Sequence, residues 1–286
     1  SYSSEVSKEL LLITSKSEDY ELFISKIKSD DFELFSINEE IIKSISGHIG
    51  NLQVIVDDEG EDVTLNVSQI VWFDAKQMGL DQSGTFDPNL SSVDEVIKTL
   101  KENINSYSYK KFTTYDKSIC QYDGRREVIC SKCEEVCPTV AITKDDKTKT
   151  LTFSQIDCHG CGGCISVCPS GALEYAPMNR ESIYEVSKFY KETHPLIIPE
   201  KMNIRNLESF LKEGVLPLAI EGEKFLDESS FLTLLQMSGS QVIFYSDFLS
   251  KGSKDAIRIV NDIYQKKYSK DAILVALAHP RDVYQN

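Results

Sequence analysis

Cys130-Ser-Lys-Cys133-Glu-Glu-Val-Cys137-Pro138-Thr-Val-Ala141 and Cys161-Gly-Gly-Cys164-Ile-Ser-Val-Cys168-Pro169-Ser-Gly-Ala172 are two copies of one pattern, each matched residue offset by 31. Cys158 stands ahead of Cys161 with two residues between them, and Cys120 stands ahead of Cys130 with nine. The second motif therefore reads Cys-x2-Cys-x2-Cys-x3-Cys-Pro and the first Cys-x9-Cys-x2-Cys-x3-Cys-Pro. All eight cysteines of the 286-residue chain lie between Cys120 and Cys168. Even spreading would place about 1.4 in that window, so the clustering marks a site and not a background composition.

The repeat resembles bacterial-type ferredoxins with two 4Fe-4S clusters, over roughly residues 115–176. The resemblance implies an α+β dicluster module in which the first three cysteines of each motif bind one cluster and the fourth crosses to the other. One cluster would then be held by Cys120, Cys130, Cys133 and Cys168, and the second by Cys158, Cys161, Cys164 and Cys137. Thiolate is the soft ligand that such clusters select. Cys-x2-Cys turns bring sulfurs to adjacent corners of one cube and leave backbone N–H groups free to offset its negative charge. Three residues further on, about one helical turn, the fourth cysteine faces the neighbouring cluster, and Pro138 and Pro169 fix φ as the chain leaves. Gly162, Gly163 and Gly171 suit tight or left-handed backbone. Residues 142–153 read as the hairpin expected of this fold.

Two departures from the pattern stand out. The nine-residue gap after Cys120, containing Tyr122, Gly124, Arg125 and Arg126, is longer than the usual two. Without Cys120 that site would suit a 3Fe-4S cluster or an external fourth ligand, yet a lone cysteine placed only at the head of one motif argues for ligation. Val140 stands where Gly171 stands in the other half, so the two backbones should differ there. The second departure is His159, between two ligands, which reads as solvated or as a hydrogen-bond donor; Arg125 and Arg126 read as solvated or as a basic docking spot. Two zinc sites are the bland alternative for the cysteines, but zinc needs only paired Cys-x2-Cys and leaves the longer run unexplained. Disulfides fit a cytoplasmic expectation poorly.

Composition bounds the rest. Hydrophobic residues make up 41% and charged residues 27%, as in an ordinary globular chain of about two domains. The net charge of −14 is uneven: residues 1–112 carry 10 Lys+Arg against 21 Asp+Glu, residues 113–178 carry 7 against 9, and the remainder 14 against 15. This balance argues against nucleic acid or an anionic membrane as the main partner, because binding phosphates needs clustered cations. The acidic excess reads as a solvated face or a docking surface. No run of about 18 apolar residues occurs and the N-terminus lacks signal-peptide character, so the expected location is cytoplasmic, without membrane insertion. A missing initiator Met and an end just past a strand-like segment give the expectation of a fragment of a longer protein.

The pattern of apolar residues divides the chain into an acidic α/β domain (1–112), the dicluster module (113–178) and a C-terminal α/β domain (179–286). In the first, residues 9–14, 32–37, 52–56 and 63–67 read as strands, with 57–62 an acidic hairpin turn that lacks EF-hand spacing. Helical patterns cover Tyr20 to Ile27, 39–46 and Val93 to Leu100, with 81–89 a loop. In the last, helices are expected at 181–193 (ended by His194-Pro195), 203–213, 228–237 and 252–267, and strands at 215–220, 241–245 and 272–278. That alternation predicts a small parallel sheet with helices. Neither Glu221-Gly-Glu223 nor Lys251-Gly-Ser-Lys254 forms a phosphate-binding loop, and the histidines at 48, 159, 194 and 279 form no metal site.

The expected function is electron transfer through two 4Fe-4S clusters between redox protein partners. Since the module is only about a fifth of the chain, a subunit or adaptor of a larger oxidoreductase is expected, with no catalytic residue of its own. Two alternatives stay open: an enzyme whose flanking α/β domains bind a flavin or a small substrate, and a chain whose clusters are structural or sensory.

Overall fold

The structure is a computed structural model and describes residues 2–14, 17–28, 30–73, 82–127, 129–200, 211–222, 224–246 and 248–277. The chain forms two compact units. One comprises Ser1–Lys111, Pro138–Ala141 and Ser154–Cys158; the other comprises Phe112–Cys137, Ile142–Phe153 and His159–Asn286.

The first unit opens with β1 (Tyr2–Ser4) and β2 (Glu9–Thr14), then α1 (Glu18–Lys26), capped by the Ser17 side chain accepting from the Tyr20 N–H. There follow β3 (Glu33–Asn38), β4 (Ile42–His48), β5 (Asn51–Asp58), β6 (Glu61–Val67), β7 (Gln69–Trp72), β8 (Thr85–Phe86), α2 (Val93–Asn103) and β9 (Tyr107–Tyr109). A parallel sheet in the order β3-β2-β7-β8 and an antiparallel sheet β4-β5-β6 supply two layers, while β1 pairs antiparallel with β9.

Strand β2 explains the arrangement. Leu10 and Leu12 join the core formed with Phe23 of α1 and Val96 and Leu100 of α2, whereas Leu11 and Ile13 join Leu52, Val54 and Val56 of β5. A strand buried on both faces reads as an unbroken apolar run because alternate side chains enter different cores. α2 starts with a capping box between Ser92 and Glu95. The acidic turn closes with Glu59 and Gly60 at positive φ, and its carboxylates Asp57 and Asp62 pair with Lys43 at 3.1 and 2.5 Å. It is a hairpin turn, as its composition predicts.

The helix expected over 39–46 is not formed. Residues Glu39–Ile41 make a single 3-10 turn capped by Asn38, and β4 begins at Ile42. A bulge shifts the register between Ile42 and Ser44, so Ile42 and Ile45 both pack toward the core of the antiparallel sheet. One extra residue in a strand turns a two-residue repeat into a spacing of three, which imitates a helix. Within the expected 81–89 loop, Thr85–Phe86 forms the short β8.

The second unit contains β10 (Thr113–Tyr115), α3 (Lys132–Glu135), the hairpin β11 (Ile142–Asp145) and β12 (Thr150–Phe153), α4 (Gly163–Ser166) and β13 (Leu173–Tyr175). β10 pairs antiparallel with β13. Then come α5 (Arg180–Ser187), β14 (His194–Pro199), β15 (Val215–Ile220), α6 (Glu228–Ser238), β16 (Val242–Ser246), α7 (Lys251–Tyr268) and β17 (Ile273–Leu277). The last four strands form an all-parallel sheet in the order β15-β14-β16-β17. Its core joins Ile197, Leu218, Phe231, Phe244 and Val260 to Ile165, Leu173 and Tyr175 of the cysteine-bearing segment. The expected helix at 181–193 ends earlier, at Ser187 followed by a 3-10 turn Lys188–Tyr190, and the segment beyond His194 is a strand. The expected helix at 203–213 lies, but for its last three residues, outside the described residues, as do Glu223, Ala278 and His279.

Candidate iron–sulfur site

The 31-residue repeat has a structural counterpart. α3 and α4 are one-turn helices at matched positions, with Val136 and Val167 as their C-terminal caps in similar backbone conformation. In each, the next residue turns back: the Cys137 N–H donates to the Glu134 carbonyl and the Cys168 N–H to the Ile165 carbonyl, both at 3.1 Å. The fourth cysteine of each motif thus leaves at the end of a single helical turn.

Four cysteines from three segments line one narrow recess: Cys120, Cys130 and Cys133 with Cys168 of the second motif. Leu151, Phe153, Ala172 and Leu173 supply its apolar wall, and Tyr115 lies across Phe153 with ring centroids 4.6 Å apart. Cys120 is buried and the other three are half-buried. Burial first, then the negative charge of Cys168, Cys130 and Cys120, pushes the Cys133 thiol up to about 12. Four cysteine sulfurs gathered in one recess are a set that a cationic inorganic core would stabilise, because a bound metal keeps thiols deprotonated. The residues of this recess therefore fit an iron–sulfur cluster.

The long gap after Cys120 is built as an ordered loop. A 3-10 turn Lys117–Ile119, capped by the Asp116 carboxylate accepting from the Ser118 N–H at 2.9 Å, delivers Cys120. The backbone N–H groups of Tyr122 and Asp123 then both point at Cys120 Sγ, each at 3.4 Å. Amides aimed at a sulfur favour its anionic form. Arg125 is exposed but bonds back to its own loop, Nε donating to the Cys120 carbonyl at 2.8 Å and Nη2 to that of Ser118 at 3.1 Å. Arg126 is exposed as well. Tyr122 is buried and its hydroxyl donates to Asp146 at 2.7 Å.

Asp123, absent from the residues that the sequence singled out, is buried beside Cys120. It accepts from the Tyr115 hydroxyl at 2.9 Å and the Leu151 N–H at 3.3 Å and pairs with Lys117 at 2.8 Å. Burial raises its pKa, but the Lys117 ammonium, the Tyr115 hydroxyl and the Leu151 N–H outweigh that cost and hold the carboxyl below its ordinary value. Burial and then hydrogen bonds to Cys120 and Asp123 drive the Tyr115 hydroxyl far above the ordinary tyrosine range. Only the unusual length of the gap could have signalled these residues.

Cys137, Cys158, Cys161 and Cys164 are each half-buried. Cys137 and Cys164 pack against the same small core as the first set. The loop bearing Cys161 is held by the C-terminal region: the Lys224 N–H donates to the Cys161 carbonyl at 3.0 Å, and Gly162, at φ +79°, lies where a Cβ would meet Phe225 Cβ at 2.5 Å. Phe112, Tyr175 and Phe225 stack beneath this loop, with centroids 6.3 and 4.5 Å apart. Gly252, in the Lys251-Gly-Ser-Lys254 stretch, permits α7 to approach α4, since a Cβ there would lie 2.2 Å from Ser166 Oγ. Gly171 has φ +69° and Val140 does not share it, so the two halves differ there as expected. His159 is exposed.

Comparison with known proteins places the same segment in a family. Residues 128–172 match the family model described as a 4Fe-4S dicluster domain. A stretch of 50 residues is 40% identical to the polyferredoxin protein MvhB of Methanothermus fervidus, covering 15% of this chain and 12% of that protein. Among the described residues no helix is long and apolar enough to cross a membrane. Half-buried thiols in a repeated Cys-x2-Cys-x3-Cys-Pro frame, a sulfur-lined recess and this family match agree: the chain carries a 4Fe-4S dicluster ferredoxin-type domain.

Proposed function

We propose that this chain relays single electrons through two 4Fe-4S clusters, as an electron-transfer subunit or adaptor of a larger oxidoreductase. One cluster belongs to Cys120, Cys130, Cys133 and Cys168, the other to Cys137, Cys158, Cys161 and Cys164. The observation that carries this reading is the recess lined by three cysteines of the first motif and the last cysteine of the second. A single zinc ion gives no reason for that crossing; the shared ligands of two adjacent clusters do. In this reading the α/β regions on either side of the cysteine-bearing segment serve docking of the donor and acceptor proteins.

Bound in such a recess, a 4Fe-4S cluster supplies a reversible one-electron centre whose potential depends on charge, hydrogen bonds and exposure. The chain's own groups do the rest. The thiolates anchor the core, the Tyr122 and Asp123 amides offset the negative charge on Cys120, and Leu151, Phe153 and Leu173 keep water from the sulfurs. An EPR-monitored redox titration of the anaerobically purified chain tests the reading. Two reversible one-electron steps are expected. Clusters that cannot be reduced reversibly would leave a structural role, and stoichiometric flavin would favour an enzyme.

A further inference from the structure

Asp123, in the gap between Cys120 and Cys130, gathers polar partners that the ligand pattern does not require. Its side chain is 3% exposed. Its backbone N–H points at Cys120 Sγ, while its carboxylate accepts from the Tyr115 hydroxyl and the Leu151 N–H and pairs with Lys117, whose side chain is 61% exposed. Tyr115 itself lines the recess beside Cys120, pinned by Phe153. A buried carboxylate this close to a candidate cluster ligand places a fixed negative charge where an added electron would arrive, and such a charge disfavours reduction.

We propose that Tyr115, Asp123 and Lys117 are positioning residues that set the reduction potential of the cluster in the Cys120 recess, leaving the other cluster unaffected. This inference rests on the two-cluster reading above. The three groups act with different signs. The Tyr115 hydroxyl dipole and the Lys117 charge both counter the negative charge of Asp123 and so favour the reduced, more anionic state. Asp123 opposes reduction by its carboxylate and supports the site by its amide. Its carboxylate is dry and its partner Lys117 wet, so Lys117 is screened by solvent and offsets the carboxylate only in part.

The test is a redox titration of the anaerobically purified holoprotein and of three variants, with iron per chain measured on each. Tyr115→Phe and Lys117→Gln are expected to lower the reduced-to-oxidised ratio at fixed applied potential, about three- to tenfold for the first and less for the exposed lysine. Asp123→Asn retains an acceptor for Tyr115 and Leu151 but removes the charge, and is expected to raise that ratio. Each change should fall on one of the two steps, the one altered by Cys120→Ser, with iron unchanged. Shifts of a common sign in all three would indicate mere loosening of the loop and overturn the proposal, as would unchanged potentials with full iron. Should Tyr115→Phe lose its iron, the exposed Lys117→Gln decides. A wild-type chain without iron or without a reversible step would instead overturn the reading on which the proposal rests.

Discussion

Gly162→Ala is the substitution by which the dependence of the cysteine loop on the C-terminal region can be measured. Gly162 lies between Cys161 and Cys164 at φ +79°, where an L side chain costs about 1–2 kcal/mol. Restricting the unfolded chain returns about 0.4–1 kcal/mol of this. A steric term comes on top, because the new Cβ would lie 2.5 Å from Phe225 Cβ and 2.9 Å from its backbone N. Neither atom is the free end of a flexible chain, so the loop or the Phe225 segment must move, at the roughly 1–3 kcal/mol typical of overpacking. Gly239→Ala is the matched control: φ is +71° but nothing lies within 4 Å of its Cβ position. The difference between the two variants therefore isolates the steric term. In anaerobic urea unfolding with a slope of about 2 kcal/mol/M, it appears as a midpoint lower by about 0.5–1.5 M for Gly162→Ala. Iron should also pass to a chelator faster in that variant alone. Midpoints within about 0.2 M of each other would refute the close contact.

Two further outcomes follow from the site. Cys120→Ser should lower the iron content and change the EPR signal of one cluster, leaving the other; an unchanged spectrum would remove Cys120 from the ligand set. In the iron-free, reduced chain, the Cys133 thiol is raised from 9.0 to about 12 by burial and by its neighbouring cysteines. The fold thus favours the neutral thiol, so its contribution to stability is complete below about pH 9 and is lost as pH rises toward 12. Apo-protein unfolding midpoints should fall across that window more steeply in the wild type than in Cys133→Ser, and parallel curves would contradict the assignment.

How much the sequence disclosed depended on whether one local signal carried the information. The cysteine repeat could be read because metal ligation imposes spacing directly, and α3 and α4 fall at matched places in it. The alternation beyond residue 214 gave β15, α6, β16, α7 and β17 because each element is long and regular. Strand β14 escaped because prolines at 195 and 199 flank its Leu-Ile-Ile run, and proline is usually taken as a sign against a central strand. Here the strand lies second in the sheet with Ile197 and Ile198 fully buried. The false helix at 39–46 came from a bulge, whose effect on spacing appears only once the partner strand is known. The Asp123 array and the bonds from Arg125 to its own loop were illegible for a similar reason: both depend on where a nine-residue loop folds back, which composition does not fix.

Iron and acid-labile sulfide analysis of the anaerobically purified chain tests the central claim most directly. The account predicts about eight iron and eight sulfide per chain, the content of two 4Fe-4S cubes. Full occupancy at a lower count, or zinc in place of iron, would contradict it.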